Sequence, residues 1–171
     1  MVSAPAGEVR AGLMGGAVLA GRIYADPPDD WLDTEPGFIV RGTLDRLLTR
    51  NFSLGLYAHY LMASARYGGQ EEDFTTLTFG GTLKVVTPLS PTMELRLGLG
   101  LGYQMTNVSG LGADFENLVG LDVAPITELA MKVDGGTALV SVAAFSQPTG
   151  GSDEIEAVWP PIVIICGGVE L

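Results

Sequence analysis

Met93-Glu94-Leu95-Arg96-Leu97-Gly98-Leu99-Gly100-Leu101-Gly102-Tyr103-Gln104-Met105-Thr106 is the stretch that decides the fold. Its odd positions are Met, Leu, Leu, Leu, Leu, Tyr and Met, and its even positions are Glu, Arg, Gly, Gly, Gly, Gln and Thr. A helix would scatter both sets around its circumference, whereas a strand sends alternate side chains to opposite faces. The stretch therefore predicts a strand with one apolar face and one face of charge, amide and glycine.

The same period recurs along the chain. Residues 8–24 set Val9, Ala11, Leu13, Ala17, Leu19 and Ile23 against Arg10 and Arg22. Residues 37–48 oppose Phe38, Val40 and Leu44 to Arg41, Thr43 and Asp45. In 52–67, Phe52, Leu54, Leu56, Tyr60 and Met62 alternate with Ser53, Gly55, Tyr57 and His59. In 74–87, Leu77, Phe79, Leu83 and Val85 alternate with Thr76, Thr78, Thr82 and Lys84. Residues 115–133 oppose Val119, Leu121, Val123, Leu129, Met131 and Val133 to Asp122, Glu128 and Lys132. Pro125 has no N–H for the ladder and predicts a bulge or edge irregularity there. Residues 137–147 and 156–171 complete eight strands with a blurred alternation, since Ile162–Ile165 are apolar on both faces.

The connections 25–36, 68–73, 107–114 and 148–155 read as long, and 49–51, 88–92 and 134–136 as short. Asp134-Gly135-Gly136 is a good tight turn. Long and short links alternate, with both termini on the short side. This predicts an all-β, eight-stranded, antiparallel up-and-down barrel in a single domain, residues 1–171, with the last strand closing on the first.

Period two alone does not separate a transmembrane barrel from a soluble, lipocalin-like one, because the two are inside-out versions of each other. Three features favour the transmembrane form. The polar faces carry glycine and small hydroxyls, as a crowded lumen requires. The only charges on the apolar faces are Arg46 and Arg66, both beside strand ends, and a charge at mid-membrane would cost about 2–4 kcal/mol. Short turns at one end and long loops at the other complete the layout. Charged residues at 17 %, below the roughly 25 % of soluble domains, agree. No apolar run reaches the length of a membrane helix. The segment Ala11–Gly21 resembles a signal-peptide core, but Glu8 spoils its basic flank; a leader, if there is one, is expected upstream of this numbering or already removed.

In layout the chain resembles the small outer-membrane β-barrels, whose members include the membrane domain of outer membrane protein A and outer membrane proteins X and W. The resemblance rests on Leu54-Gly55-Leu56-Tyr57-Ala58-His59-Tyr60 and Leu97-Gly98-Leu99-Gly100-Leu101-Gly102-Tyr103. It implies a bacterial outer-membrane location with outer-membrane lipid as surroundings. Such barrels usually end in an aromatic residue, and this chain departs from them by ending Val169-Glu170-Leu171.

With the apolar face toward lipid, Arg10, Arg22, Arg41, Lys84, Arg96 and Lys132 share the lumen with Asp45, Glu94, Asp122, Glu128, Glu156 and Glu170. The signs balance, as buried ions need. Eight strands leave room for side chains and little more, so a plugged lumen without an open pore is expected. The long links hold Asp26, Asp29, Asp30, Asp33, Glu35, Glu71, Glu72, Asp73, Asp114, Asp153 and Glu154, with no Lys or Arg. This acidic rim could meet divalent cations or a protein partner. Asp29, Asp30 and Asp33 are the metal candidates, although they lack the spacing and turn glycine of a calcium loop.

The formal net charge of −11 excludes nucleic acid as a partner. His59, the one histidine, has Ser53 and Ser64 nearby but no catalytic pattern, and it reads as a lumen-packed side chain. Cys166, the one cysteine, reads as a small buried residue. No cofactor and no catalysis are expected. A structural or interaction role leads; passage of small apolar compounds sideways through the wall is the alternative that the resemblance to outer membrane protein W allows. A soluble ligand-binding barrel is the third. Phe38, Tyr103, Phe115 and Trp159 are expected to ring the loop side of the lipid face, with Phe52 on the other.

Overall fold

A computed structural model of the chain describes residues 7–26, 30–67, 70–108, 118–147, 150–151 and 156–171. Among these residues there is no helix. The strands are β1 (Val9–Val18), β2 (Gly21–Asp26), β3 (Asp30–Thr34), β4 (Gly37–Leu47), β5 (Phe52–Tyr67), β6 (Gln70–Pro88), β7 (Met93–Val108), β8 (Leu118–Val133), β9 (Gly136–Gln147), β10 (Gly150–Gly151) and β11 (Glu156–Glu170). They make eight staves, because β2 prolongs β1, β3 leads into β4, and β10 prolongs β9. Each stave pairs antiparallel with its neighbours in the chain, from Val9↔Arg46 between β1 and β4 to Glu170↔Thr137 between β11 and β9. β11 then returns beside β1, from Gly12↔Glu170 to Val18↔Ile164, and closes the barrel.

The faces settle which way out the barrel is. Leu97 and Leu101 are 48 % and 53 % exposed, while Arg96 and Gln104, on the opposite parity of the same strand, are 2 % and 0 % exposed. An apolar exterior around a charged interior overturns the soluble, lipocalin-like alternative, whose apolar side chains would line the inside. The outward face is apolar from Phe52 to Met62 on β5 and turns polar at Ser64 and Arg66. On β6 it is apolar from Val85 to Leu77, then polar at Thr75, Asp73 and Glu71. Such runs match the roughly 9–11 residues with which a tilted strand crosses a bilayer. Phe38 and Tyr103 are exposed on this band, Tyr103 lying 5.8 Å from Phe79 between ring centroids, and Phe52 is exposed at the turn end. Phe115 and the Trp159 side chain lie outside the described residues.

Four details differ from expectation. The links 25–36 and 68–73 are largely strand: β2 pairs with β3, and β5 pairs with β6 out to Tyr67↔Gln70. Beyond the bilayer, acidic residues can continue a ladder because both faces meet water, so their charge does not mark a loop. The alternation also flips where the first stave breaks at Leu19–Ala20: Val18 is inward, then Ile23 is inward and Arg22 outward. Ile23 and Arg22 therefore exchange the faces that a single parity over 8–24 gives them. Finally, of the bulge or irregularity expected at Pro125 only the irregularity is present: the β8–β9 pairing lapses at Ala124 and Pro125, without a bulge. Pro125 keeps register with Leu99, and toward β9 the pairs pass from Val123↔Ser146 to Ile126↔Ala143 without a shift. The register shift lies instead in β11 between Trp159 and Ile162, across Pro160-Pro161.

The interior has two halves. On the turn side its centre is ionic, with Leu47, Val86, Ala130 and Leu139 buried around it. On the loop side Val18, Ile23, Leu32, Ile39, Leu61, Phe74, Phe145 and Ile162 form one apolar cluster, and β6–β7 contribute a polar wall in which Thr76 and Thr106 are hydrogen-bonded at 3.0 Å. Inward Ile162 and Ile164 belong to that cluster while Val163 and Ile165 face lipid, which explains the blurred alternation of the last strand.

Candidate functional site

The lumen charges come from inward positions near the turn ends of their strands. Lys84 on β6 reaches Asp45 Oδ2 at 2.8 Å and Glu128 Oε2 at 2.9 Å, all three buried. Thr82 Oγ1 donates to Asp45 Oδ1 at 3.3 Å. Inward Gly55 and Gly98 make this possible: a Cβ at Gly55 would meet the Asp45 carboxylate, and one at Gly98 would meet the Lys84 stem.

Nearer the mouth, Arg96 grips Glu170 with both terminal nitrogens, at 2.5 and 2.7 Å. This is the bidentate geometry that suits guanidinium to carboxylate. Its Nε donates to Glu94 Oε1 at 2.9 Å, and Arg10 Nη1 donates to the same oxygen at 2.5 Å. Arg10 Nε also meets Glu8 at 2.8 Å, an acid not among those expected in the lumen. Two of the expected lumen cations are elsewhere. Arg22, flipped outward, pairs with Asp33 at 2.9 Å on the surface. Lys132 keeps inward parity but lies past the last buried residue of β8, Ala130, and is exposed beside a hollow at the turn-side mouth that Arg10, Glu94 and Glu170 also line. Of the expected acids, the Glu156 side chain lies outside the described residues.

Midway along the lumen one side chain acts as a crossbar. Tyr57 leaves β5, passes β6 and β7, and hydrogen-bonds Asp122 of β8 through its hydroxyl. The track beneath it is bare: a Cβ at Gly80, Gly100 or Gly102 would strike the Tyr57 side chain. Gly100 and Gly102 of the Leu-Gly-Leu-Gly-Leu-Gly run are thus clearance for a tyrosine from another strand, and Gly98 is clearance for Lys84. The Arg41 guanidinium carbon lies 5.4 Å from the Tyr57 ring centroid, a cation–π approach. His59 is buried between Tyr57 and Phe145, with ring centroids at 6.0 and 5.7 Å. This surrounds the histidine with rings, as a packed residue.

At the loop end Arg66 meets Glu35 at 3.0 Å and Glu71 at 3.6 Å, and Ser64 donates to Asp73 at 2.9 Å. Arg22 and Arg66 therefore neutralise part of the acidic rim. Of the metal candidates, Asp33 is bound by Arg22, while Asp29 and the Asp30 side chain lie outside the described residues. Among the described residues no three His, Cys, Asp or Glu are grouped to hold a metal. Cys166 is buried and forms no disulfide.

No family model matches the chain, and no curated protein sequence does. Its shape has clear counterparts among solved structures. Neisserial surface protein A superposes with a TM-score of 0.64 at 11 % identity, covering 95 % of each chain. The outer membrane protein OprG from Pseudomonas aeruginosa gives 0.62 at 12 % identity, over 97 % of this chain and 96 % of that one. Ail, the attachment invasion locus protein of Yersinia pestis, solved with the heparin analogue sucrose octasulfate, gives 0.54 at 12 % identity, over 96 % and 99 %. The chain has the fold of the small outer-membrane β-barrels. With it come an apolar belt to meet lipid and a lumen whose charges are the residues just described.

Proposed function

We propose that the chain is an integral protein of a bacterial outer membrane with a structural or interaction role, a closed lumen and no enzymatic activity. The observation that carries this reading is the plug formed by Lys84 between Asp45 and Glu128, with Arg96 on Glu170 below it. Three strands are tied across the lumen by the first set alone, since Asp45, Lys84 and Glu128 stand on β4, β6 and β8, and Tyr57 of β5, joined to β8 above them, adds a fourth. Reconstitution into a planar bilayer tests it: no steady conductance is expected, and large, sustained single-channel currents would overturn the closed lumen.

The loop rim is then the surface for partners. The described rim carries Asp33, Glu35, Glu71 and Asp73 against Arg22 and Arg66, and the loops add further acids. Ail was solved with a polysulfated sugar; a rim of this sign repels such a polyanion and suits divalent cations or a basic protein surface instead. Immobilised heparin should fail to retain the detergent-solubilised barrel, and retention at low salt would reverse the assigned sign of the partner.

A second reading has its own observation. The β8–β9 ladder lapses at Ala124 and Pro125, and a shallow depression outside it is lined by Leu97, Pro125, Thr127, Val142, Ala144 and Val163. This is where an apolar compound would pass sideways through the wall. Liposome uptake of a small apolar compound that falls on Pro125→Val would favour the conduit; equal uptake by both chains would remove it.

A further inference from the structure

Arg41, His59, Thr78 and Gln104 form one row around the barrel, each directly paired with the next: Arg41↔His59, His59↔Thr78 and Thr78↔Gln104. All four are inward, and their exposures are 1 %, 3 %, 0 % and 0 %. Each carries a buried polar atom with no protein partner: Arg41 Nε and Nη2, His59 Nε2, Thr78 Oγ1 and Gln104 Oε1. Asp122 stands diagonally from Gln104, opposite Gly102, and its Oδ1 is in the same condition while its other oxygen takes the Tyr57 hydroxyl. Side chains paired this way stand about 5 Å apart, and diagonal ones about 7–8 Å.

Buried polar atoms in native proteins are almost always satisfied, so the chemistry of this set names what satisfies it. Arg41 can only donate, an ionised Asp122 can only accept, and the Thr78 hydroxyl does both. Gln104 turns its amide nitrogen to Thr106, at 3.4 Å, which leaves the carbonyl to accept. An inorganic anion at Arg41 would share the space with the Asp122 carboxylate, and a cation at Asp122 would share it with Arg41. The remaining ligand is neutral, small, and both donor and acceptor. The geometry points to a cluster of internal water molecules that links Arg41 to Asp122 around the Tyr57 crossbar. Arg41 has no carboxylate within salt-bridge distance among the described residues, and Asp122 no cation, so the two neutralise each other through these waters. The turn-side charges, in contrast, meet directly.

Two experiments test this. A high-resolution crystal structure of the detergent-solubilised barrel, grown in bromide, should show ordered water within hydrogen-bond distance of Arg41 Nε or Nη2 and of Asp122 Oδ1. An anomalous bromide peak at Arg41, or a direct Arg41–Asp122 contact, would overturn the assignment. The second is a cycle of Arg41→Met, Asp122→Asn and the double variant, refolded into lipid vesicles. Each single change leaves an opposite charge buried and should lower the folding equilibrium constant by roughly a hundredfold or more. The double variant should lose much less than the product of the two. Losses that simply multiply would show two independent residues, and the water-linked pair would be wrong. The crystal experiment needs no variant to fold.

Discussion

The two ends of the lumen are lined by different chemistry. Toward the short turns, Lys84, Arg96 and Arg10 meet Asp45, Glu128, Glu94 and Glu170 at 2.5–2.9 Å, with Lys84 and Glu128 each only 1 % exposed. Toward the loops, Ile39, Leu61, Phe145 and Ile162 are buried in one apolar cluster beside the uncharged Thr76–Thr106 wall. An ionic plug depends on completeness, because removing one ion leaves its partners in a place they cannot be solvated. An apolar plug degrades by volume, since each lost methylene costs transfer energy and a cavity. The comparison teaches that the two halves should fail differently under substitution.

Lys84→Ala should have the largest effect, near the upper end of the 3–5 kcal/mol or so typical of breaking a buried pair, because it strands both Asp45 and Glu128. Urea unfolding from vesicles would measure it, and restoration by also neutralising Asp45 and Glu128 would show that stranded charge is the cause. Arg96→Ala should follow at the lower end of that range, since Glu94 keeps Arg10 and only Glu170 is orphaned; a loss below about 1 kcal/mol would remove the buried network from this account. Leu61→Ala tests the other half. About 3 kcal/mol is expected for the cavity it leaves, with no dependence on its neighbours' charge and no rescue by neutral partners. The smallest effect belongs to Arg22→Ala. Its bridge to Asp33 is two-thirds exposed on both sides, so a change within roughly 0–1 kcal/mol is expected, and a larger one would mean that the β2–β3 hairpin is part of the plug.

Much of this was readable from the chain because a membrane barrel enforces period two more strictly than a soluble fold does. Leu95 to Tyr103 cannot mix polar side chains into a face that meets hydrocarbon. Hence strand number, closure and most of the lumen charges follow from alternation alone. The reading weakened where that constraint is absent. Past Met62 and Leu77 the strands stand in water, and Glu71 and Asp73 looked like loop though they continue a ladder. The break at Leu19–Ala20 reverses the faces of Arg22 and Ile23, and nothing at those two positions marks a reversal. The crossbar was half legible: Gly100 and Gly102 announced a need for room, but the occupant, Tyr57, comes from a strand two places away.

The seam between β1 and β11 has a consequence in time. Its seven paired positions join residues from opposite ends of the chain, and Gly15↔Gly167 and Met14↔Gly168 give it little side-chain contact. Until β11 is in place, β1 and β9 each expose an open edge, which neither lipid nor water-free hydrocarbon can satisfy. A chain emerging from its N-terminus therefore cannot be inserted stave by stave; its first strand must wait, shielded, for its last. Closing this barrel requires pairing across nearly the whole sequence, and such long-range pairing is slow.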